Sequence, residues 1–88
     1  MNFSNGDFYE GNWKAGQKHG QGIYVWSNGE RYEGQWEEGR RKGEGIYVWG
    51  NGDRFEGDWE NDRMNGRGMF NFGEGGSLEA TFKNDRKV

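Results

Sequence analysis

Apolar and polar positions alternate along this chain with a period of two. In residues 9–13, Tyr9 and Trp13 fall on one side of an extended backbone with Gly11 between them, while Glu10 and Asn12 point the other way. In residues 22–26, Gly22, Tyr24 and Trp26 share one face, and Ile23 and Val25 share the other. This is the pattern of strands half-exposed to solvent. Residues 14–19 between them read as a turn that contains Gly16 and is closed by Gly20. Ser27-Asn28-Gly29 then signals a tight hairpin, because Asn-Gly accepts the positive φ that such turns require. No stretch carries the apolar spacing of a helix, so almost no helix is expected.

The pattern repeats. Tyr9-Glu10-Gly11-Asn12-Trp13 returns as Tyr32-Glu33-Gly34-Gln35-Trp36, as Phe55-Glu56-Gly57-Asp58-Trp59 and as Leu78-Glu79-Ala80-Thr81-Phe82. First residues at 9, 32, 55 and 78 differ by 23 each time, with no insertion. Fixed self-similarity of this length marks a repeat architecture. Ile46-Tyr47-Val48-Trp49 copies Ile23-Tyr24-Val25-Trp26 unchanged, and Asn51-Gly52 copies Asn28-Gly29. The third copy is looser, with Asp62 in place of the turn glycine and Met69-Phe70-Asn71-Phe72 as its return strand. Residues 1–8 match the end of a repeat and residues 78–88 the start of one. Folding the first hairpin about Gln17 sets Trp13 against Gly22, Tyr24 against Gly11 and Tyr9 against Trp26. Each glycine then lies under a neighbouring ring, which restores packing where a strand lacks a side chain.

Composition sharpens this picture. Only 30% of the 88 residues are hydrophobic, yet 17% are aromatic, and there are 18 glycines and no proline. Low apolar content with high charge usually means disorder, but these aromatics recur in register. With few aliphatic residues, any compact core would be thin. The absence of cysteine excludes disulfides, thiolate nucleophiles and cysteine-bound zinc. A net charge of −3 argues against nucleic acid as a partner. There is no leader-like stretch and no long apolar run, so a cytoplasmic location is the expectation.

Tyr-Glu-Gly-x-Trp, a turn glycine, Gly-x-Gly with an aromatic strand and then Asn-Gly, on a 23-residue period, resembles the MORN repeat (membrane occupation and recognition nexus). Residues 32–54 follow the family pattern from end to end; Asp62, Ala80, Phe82 and Asp85 depart from it. The resemblance implies an all-β fold, an elongated single-layer antiparallel meander of successive β-hairpins. It divides one domain, 1–88, into a partial repeat 1–8, repeats 9–31, 32–54 and 55–77, and a half repeat 78–88. It also implies a non-catalytic module that binds protein partners, often cytoskeletal or ciliary, with phosphoinositide association or dimerisation in some members. The expected location then extends to the cytoskeleton, the cilium or the cytoplasmic face of a membrane.

Two sets of side chains are candidate sites. The aromatic rows Tyr9, Trp13, Tyr24, Trp26, Tyr32, Trp36, Tyr47, Trp49, Phe55 and Trp59 are either the core or, on a sheet with no second layer, a groove for a partner's helix or extended segment. The same residues can serve as both. Lys18, His19, Arg40, Arg41, Lys42 and Arg63 occupy one phase of the repeat and would line one sheet edge. That edge reads either as a basic ridge for anionic phospholipid or as solvated turns that guard against aggregation. Glu37, Glu38, Glu60, Asp62 and Asp85 dilute it.

Other clusters carry no chemistry. Glu10, Glu33, Glu56 and Glu79 recur once per repeat, about 9–10 Å apart at the usual strand spacing, too far for the oxygens of one calcium site at about 2.3–2.6 Å. Arg31 and Arg54 are their natural cross-strand partners. His19, the one histidine, has no nucleophile set around it. The Gly-x-Gly pairs at 20, 43 and 66 lack the third glycine and helix of a dinucleotide site. The expected function is a non-enzymatic scaffold with no cofactor or metal, binding a protein segment on its aromatic face; the alternative is a peripheral module for anionic lipid. Open strand edges near Phe3 and in residues 78–82 would favour a homodimer or end-to-end pairing with another copy.

Overall fold

A computed structural model describes residues 1–87. The alternating segments form eight strands: β1 Phe8–Lys14, β2 Gln17–Val25, β3 Arg31–Glu37, β4 Arg40–Val48, β5 Arg54–Glu60, β6 Arg63–Asn71, β7 Ser77–Lys83 and β8 Arg86–Lys87. Their order in the single sheet is their order in sequence, and every neighbouring pair is antiparallel. The fold is therefore an all-β open meander of 36 × 23 × 17 Å, with no helix among the described residues.

The first hairpin turns more tightly than its sequence suggests. β1 runs to Lys14 and β2 begins at Gln17, leaving a turn of only Ala15 and Gly16, with φ of 51° and 77°. Positive φ at both central residues is the turn whose twist suits a hairpin. The same geometry recurs at Glu38-Gly39, Asn61-Asp62 and Asn84-Asp85. Asn and Asp tolerate this conformation, so Asp62 and Asp85 fill the turn without breaking it.

The tight turn shifts the register. Tyr9 pairs with Tyr24 and Gly11 with Gly22, not with Trp26 and Tyr24 as a hairpin centred on Gln17 would have it. Beyond Gly11 an irregularity absorbs two extra residues on β2, so that Trp13 pairs with Lys18. The irregularity recurs between Gly34 and Trp36 and between Gly57 and Trp59. Glycine thus faces glycine across each hairpin: Gly34 pairs with Gly45 and Gly57 with Gly68. The expected covering of glycine by rings is achieved from above, by the first ring of the leading strand, which lies over the glycine of the return strand. A Cβ on Gly22 would collide with the Tyr9 ring, one on Gly45 with Tyr32, and one on Gly68 with Phe55.

The core is a lattice of these rings on one face. Tyr9, Tyr32 and Phe55 are fully buried; Trp36, Trp59, Ala80 and Phe82 complete the buried set. Each first ring is met edge-on by the tryptophan of its own repeat and the aromatic of the next. Tyr32 lies 5.0 Å from Trp36 and 5.4 Å from Trp59; Phe55 lies 5.7 Å from Trp59 and 5.2 Å from Phe82. Such edge-to-face contacts are worth about 0.5–1.5 kcal/mol each beyond the area they bury. The Trp36 and Trp59 indoles donate to the carbonyls of Gly22 and Gly45, each at 3.2 Å. Every repeat is therefore locked to the one before it, and the stack needs no second layer. At the ends, Asn2 bridges Phe8, and β8 pairs with β7 only at Phe82–Lys87 and Lys83–Arg86.

Candidate functional site

The aromatic candidates divide into two rows on one face. The lower row, Tyr9, Tyr32, Phe55, Trp36 and Trp59, is the buried lattice. The upper row lies beside the inter-repeat turns and is only half-buried: Tyr24, Trp26, Tyr47 and Trp49, joined by Phe3, Phe70 and Phe72. Its rings follow one another across the strands, with Phe3–Tyr24 at 5.8 Å, Tyr24–Trp26 at 4.7 Å, Trp26–Tyr47 at 5.2 Å, Tyr47–Trp49 at 4.9 Å and Trp49–Phe70 at 5.2 Å. Trp13 and Phe72 are each 43% exposed, so the face stays open at both ends. Phe3 and Phe72 were not among the candidates, although they stand one period before Trp26 and one after Trp49.

Carboxylates pin the upper row from its turn side. Asp7 is buried and accepts from the Tyr24 hydroxyl at 2.6 Å and from the Ser27 N–H at 2.8 Å. Glu30 accepts from the Tyr47 hydroxyl at 2.6 Å, and Asp53 from the Gly73 N–H at 2.8 Å. The Tyr24 bond holds the Asp7 carboxyl below the usual carboxylate range. Burial, and then the bond to Asp7, push the Tyr24 phenol up to about 12. Burial raises Tyr9 and Tyr32 as well, and burial followed by the Glu30 bond raises Tyr47. Sequence reasoning missed Asp7 and Glu30, though each stands one position after Asn-Gly and so carries a readable signal.

The basic candidates share one edge, as their common phase requires, but they split between the two faces. Lys18 and Arg41 pair with Trp13 and Trp36 and turn onto the aromatic face. The Lys18 ammonium lies 5.1 Å from the Trp36 ring and 5.2 Å from Tyr24. The Arg41 guanidinium lies 4.7 Å from Trp59 and 5.5 Å from Tyr47, and is held by Asp62 Oδ1 at 3.2 Å and by the Asp62 carbonyl at 2.6 Å. Cations over ring faces in this range are attracted by the ring quadrupole. His19, Arg40 and Lys42 alternate onto the opposite face, where Lys42 pairs with Glu37 at 3.0 Å. Arg63 sits beside its turn, exposed and opposite Glu60.

The two faces differ in shape and charge. A cavity of about 290 Å3 opens on the aromatic face among Lys18, Tyr24, Trp26, Trp36, Arg41 and Asp62, with Gly39 at its rim. The opposite face carries a shallow depression of about 490 Å3 bordered by Glu33, Glu44, Glu56 and Asp58. Glu33 and Glu56 pair across the sheet with Ile46 and Met69, not with Arg31 or Arg54. No group of three or more metal-ligating side chains comes together among the described residues.

Comparison with known proteins adds one finding. The family model for the MORN repeat matches three successive segments, residues 9–31, 32–54 and 55–77. No curated protein matches the chain.

Proposed function

The chain belongs to the MORN repeat family, and from that premise we propose that it is a non-enzymatic scaffold module whose aromatic face holds a protein segment. MORN repeats are non-catalytic modules, consistent with scaffold or membrane-associated roles. The observation that carries the reading is the upper ring row. It is half-buried, continuous across the repeats and open at Phe72, on a sheet with no second layer. Trp and Tyr are favoured anchors at interfaces, and these rings are held in place by Asp7, Glu30 and the buried lattice beneath. The anchors are therefore preorganised, which lowers the ordering cost of binding. Trp26 and Trp49 stand one repeat apart and suit an extended or helical segment laid across the strands.

The alternative is a peripheral module reading anionic lipid through Arg40, Lys42 and Arg63. It has less support, because Lys42 is paired with Glu37, Arg41 with Asp62, and Lys18 lies over the rings of the other face. No helix among the described residues is long and apolar enough to cross a membrane.

Panning a displayed peptide library against the chain tests the scaffold reading. Selected peptides should bind with little sensitivity to salt and lose at least about ten-fold in affinity on the Trp26→Ala, Trp49→Ala double variant, about 1.4 kcal/mol. Peptides that bind this variant undiminished and fail on Glu33→Lys with Glu56→Lys would move the site to the opposite face and sink the proposal.

A further inference from the structure

Three successive turns make the same backbone contact with the preceding repeat. The N–H of the second turn residue donates to a carbonyl 21 residues earlier: Gly39 to Lys18 at 3.0 Å, Asp62 to Arg41 at 3.1 Å and Asp85 to Met64 at 2.9 Å. At two of the three, a carboxylate returns a second bond. Asp62 Oδ1 accepts from the Arg41 N–H at 2.8 Å, and Asp85 Oδ1 accepts from the Met64 N–H at 2.6 Å. Asp62 also takes the Arg41 guanidinium.

The first turn differs. Residue 39 is glycine, so no side chain there reaches back to Lys18. Lys18 makes no ion pair among the described residues, and its ammonium rests over rings. Its N–H leaves the strand on the same side as its carbonyl, toward the Gly39 turn. The space is open: a Cβ on Gly39 would meet nothing within 4 Å. This position borders the 290 Å3 cavity on the aromatic face.

We infer that this cavity is a carboxylate pocket, occupied by an Asp or Glu side chain of the partner segment. The inference rests on the scaffold reading above and names the chemistry of its partner. Lys18 would supply the ammonium and the backbone N–H, the two kinds of contact that Arg41 makes with Asp62 one repeat on. Tyr24, Trp26 and Trp36 wall the site, with the Arg41–Asp62 pair on its far side, and an ammonium meeting a carboxylate there makes a charge-assisted bond. The protein thus shows within itself which group fits: a carboxylate, delivered in cis at residues 62 and 85 and in trans at 39.

The test is a proton–nitrogen correlation spectrum of the 88-residue chain, titrated with acetyl-Leu-Asp-Leu-amide. Shifts are expected at the Lys18 and Gly39 amides and the Trp26 and Trp36 indoles. The Asn tripeptide should bind at least about ten-fold more weakly, the loss expected when a charge-assisted bond becomes neutral. Gly39→Asp should close the pocket in cis, raising the melting temperature and abolishing binding. Lys18→Met, which installs the residue found at the equivalent position 64, should fold, keep the backbone N–H contact and bind at least about ten-fold more weakly. Equal affinity for the Asp and Asn tripeptides, or binding that survives Gly39→Asp, overturns the assignment. Tighter binding of soluble inositol trisphosphate than of the tripeptide at Lys18 hands the pocket to a lipid headgroup and overturns it too. Shifts at Trp13 and Trp49 with Lys18 and Gly39 unmoved would remove the pocket and leave the aromatic-face reading. Shifts at Lys18 and Gly39, with panned peptides indifferent to the Trp26→Ala, Trp49→Ala change, would keep the pocket and remove that reading.

Discussion

Gly45→Ala is the substitution that tests the packing argument most directly. Gly45 has no positive φ, so alanine costs nothing in backbone strain there. A Cβ at this position would collide with the hydroxyl and ring carbons of Tyr32. Tyr32 cannot yield cheaply. It is fully buried, wedged edge-on between Trp36 and Trp59, and its hydroxyl donates to the Gln35 carbonyl at 3.1 Å. Overpacking of this kind costs about 1–3 kcal/mol, and losing the hydroxyl bond about 0.5–1.5 kcal/mol. Reduced freedom of the unfolded chain returns about 0.4–1 kcal/mol. The net loss is about 2 kcal/mol, or roughly 8–16 °C in melting temperature for a domain of this size. Tyr32→Leu alone should cost about 2–3 kcal/mol through the lost ring contacts. Leucine at 32 removes the ring atoms and hydroxyl that the new Cβ at 45 would strike. In urea denaturation the double variant should therefore be about 1–2 kcal/mol more stable than the sum of the singles predicts. Additivity within about 0.5 kcal/mol would refute the reasoning, because the clash would then not be with the ring.

Alkaline titration should couple ionisation to unfolding. All four tyrosines have folded pKa values raised above the ordinary value near 10. Their stabilisation is complete below about pH 10 and is lost as pH rises, through about 12 for Tyr24. Tyrosinate absorbance should thus appear together with loss of the far-ultraviolet sheet signal; ionisation of a still-folded chain near pH 10 would contradict it. On the acid side, the Asp7–Tyr24 bond lowers the Asp7 carboxyl, so its contribution is present above about pH 4 and fades as pH falls further. The stability difference between the natural chain and Tyr24→Phe should shrink over that range, and a difference independent of pH would count against the bond. Asp62→Gly keeps a permissive residue at φ 70° but removes the bond to the Arg41 N–H, a loss of about 1 kcal/mol after discounting the half-exposed ion pair. An unchanged melting temperature would deny the carboxylate its role. Sedimentation with phosphoinositide vesicles at low salt should vanish at physiological salt; retention there that Arg40→Glu with Arg63→Glu abolishes would favour the lipid reading.

The fold was legible because strand alternation and a strict 23-residue step reinforce each other, and any insertion would have broken both. Register was harder. Whether a turn spans two residues or six depends on φ at Ala15, a residue that gives no sign of a left-handed conformation in its type. Once that turn is tight, the irregularity before Trp13 and the pairing of Gly11 with Gly22 follow. The candidate site was legible as residue types and less so as placement. Alternation separates Lys18 from His19 and Arg41 from Lys42, yet a shared turn phase suggests one ridge. Asp62 reads as a departure from the repeat until the structure shows its carboxylate bonded to the preceding repeat.

That departure points to how such a sheet acquires specificity. Positions in the ring lattice are closely coupled, because Gly22, Gly45 and Gly68 are each matched to a ring, and Trp36 and Trp59 to carbonyls in the repeat before. The turn edge is under no such constraint. Gly16 and Gly39 have open space where a side chain would stand, and the equivalent position holds aspartate at 62 and 85. The residue facing it from the preceding repeat is Lys18, Arg41 or Met64. Changing one member of these pairs alters charge beside the aromatic row at a cost of about 1 kcal/mol, whereas changing one member of the lattice costs two or more. An array built this way can keep its sheet while each repeat presents a different charge next to the same rings. On the scaffold reading proposed above, a partner would then be selected by the sequence of turn residues along the stack, and anchored by rings that successive repeats hold in common.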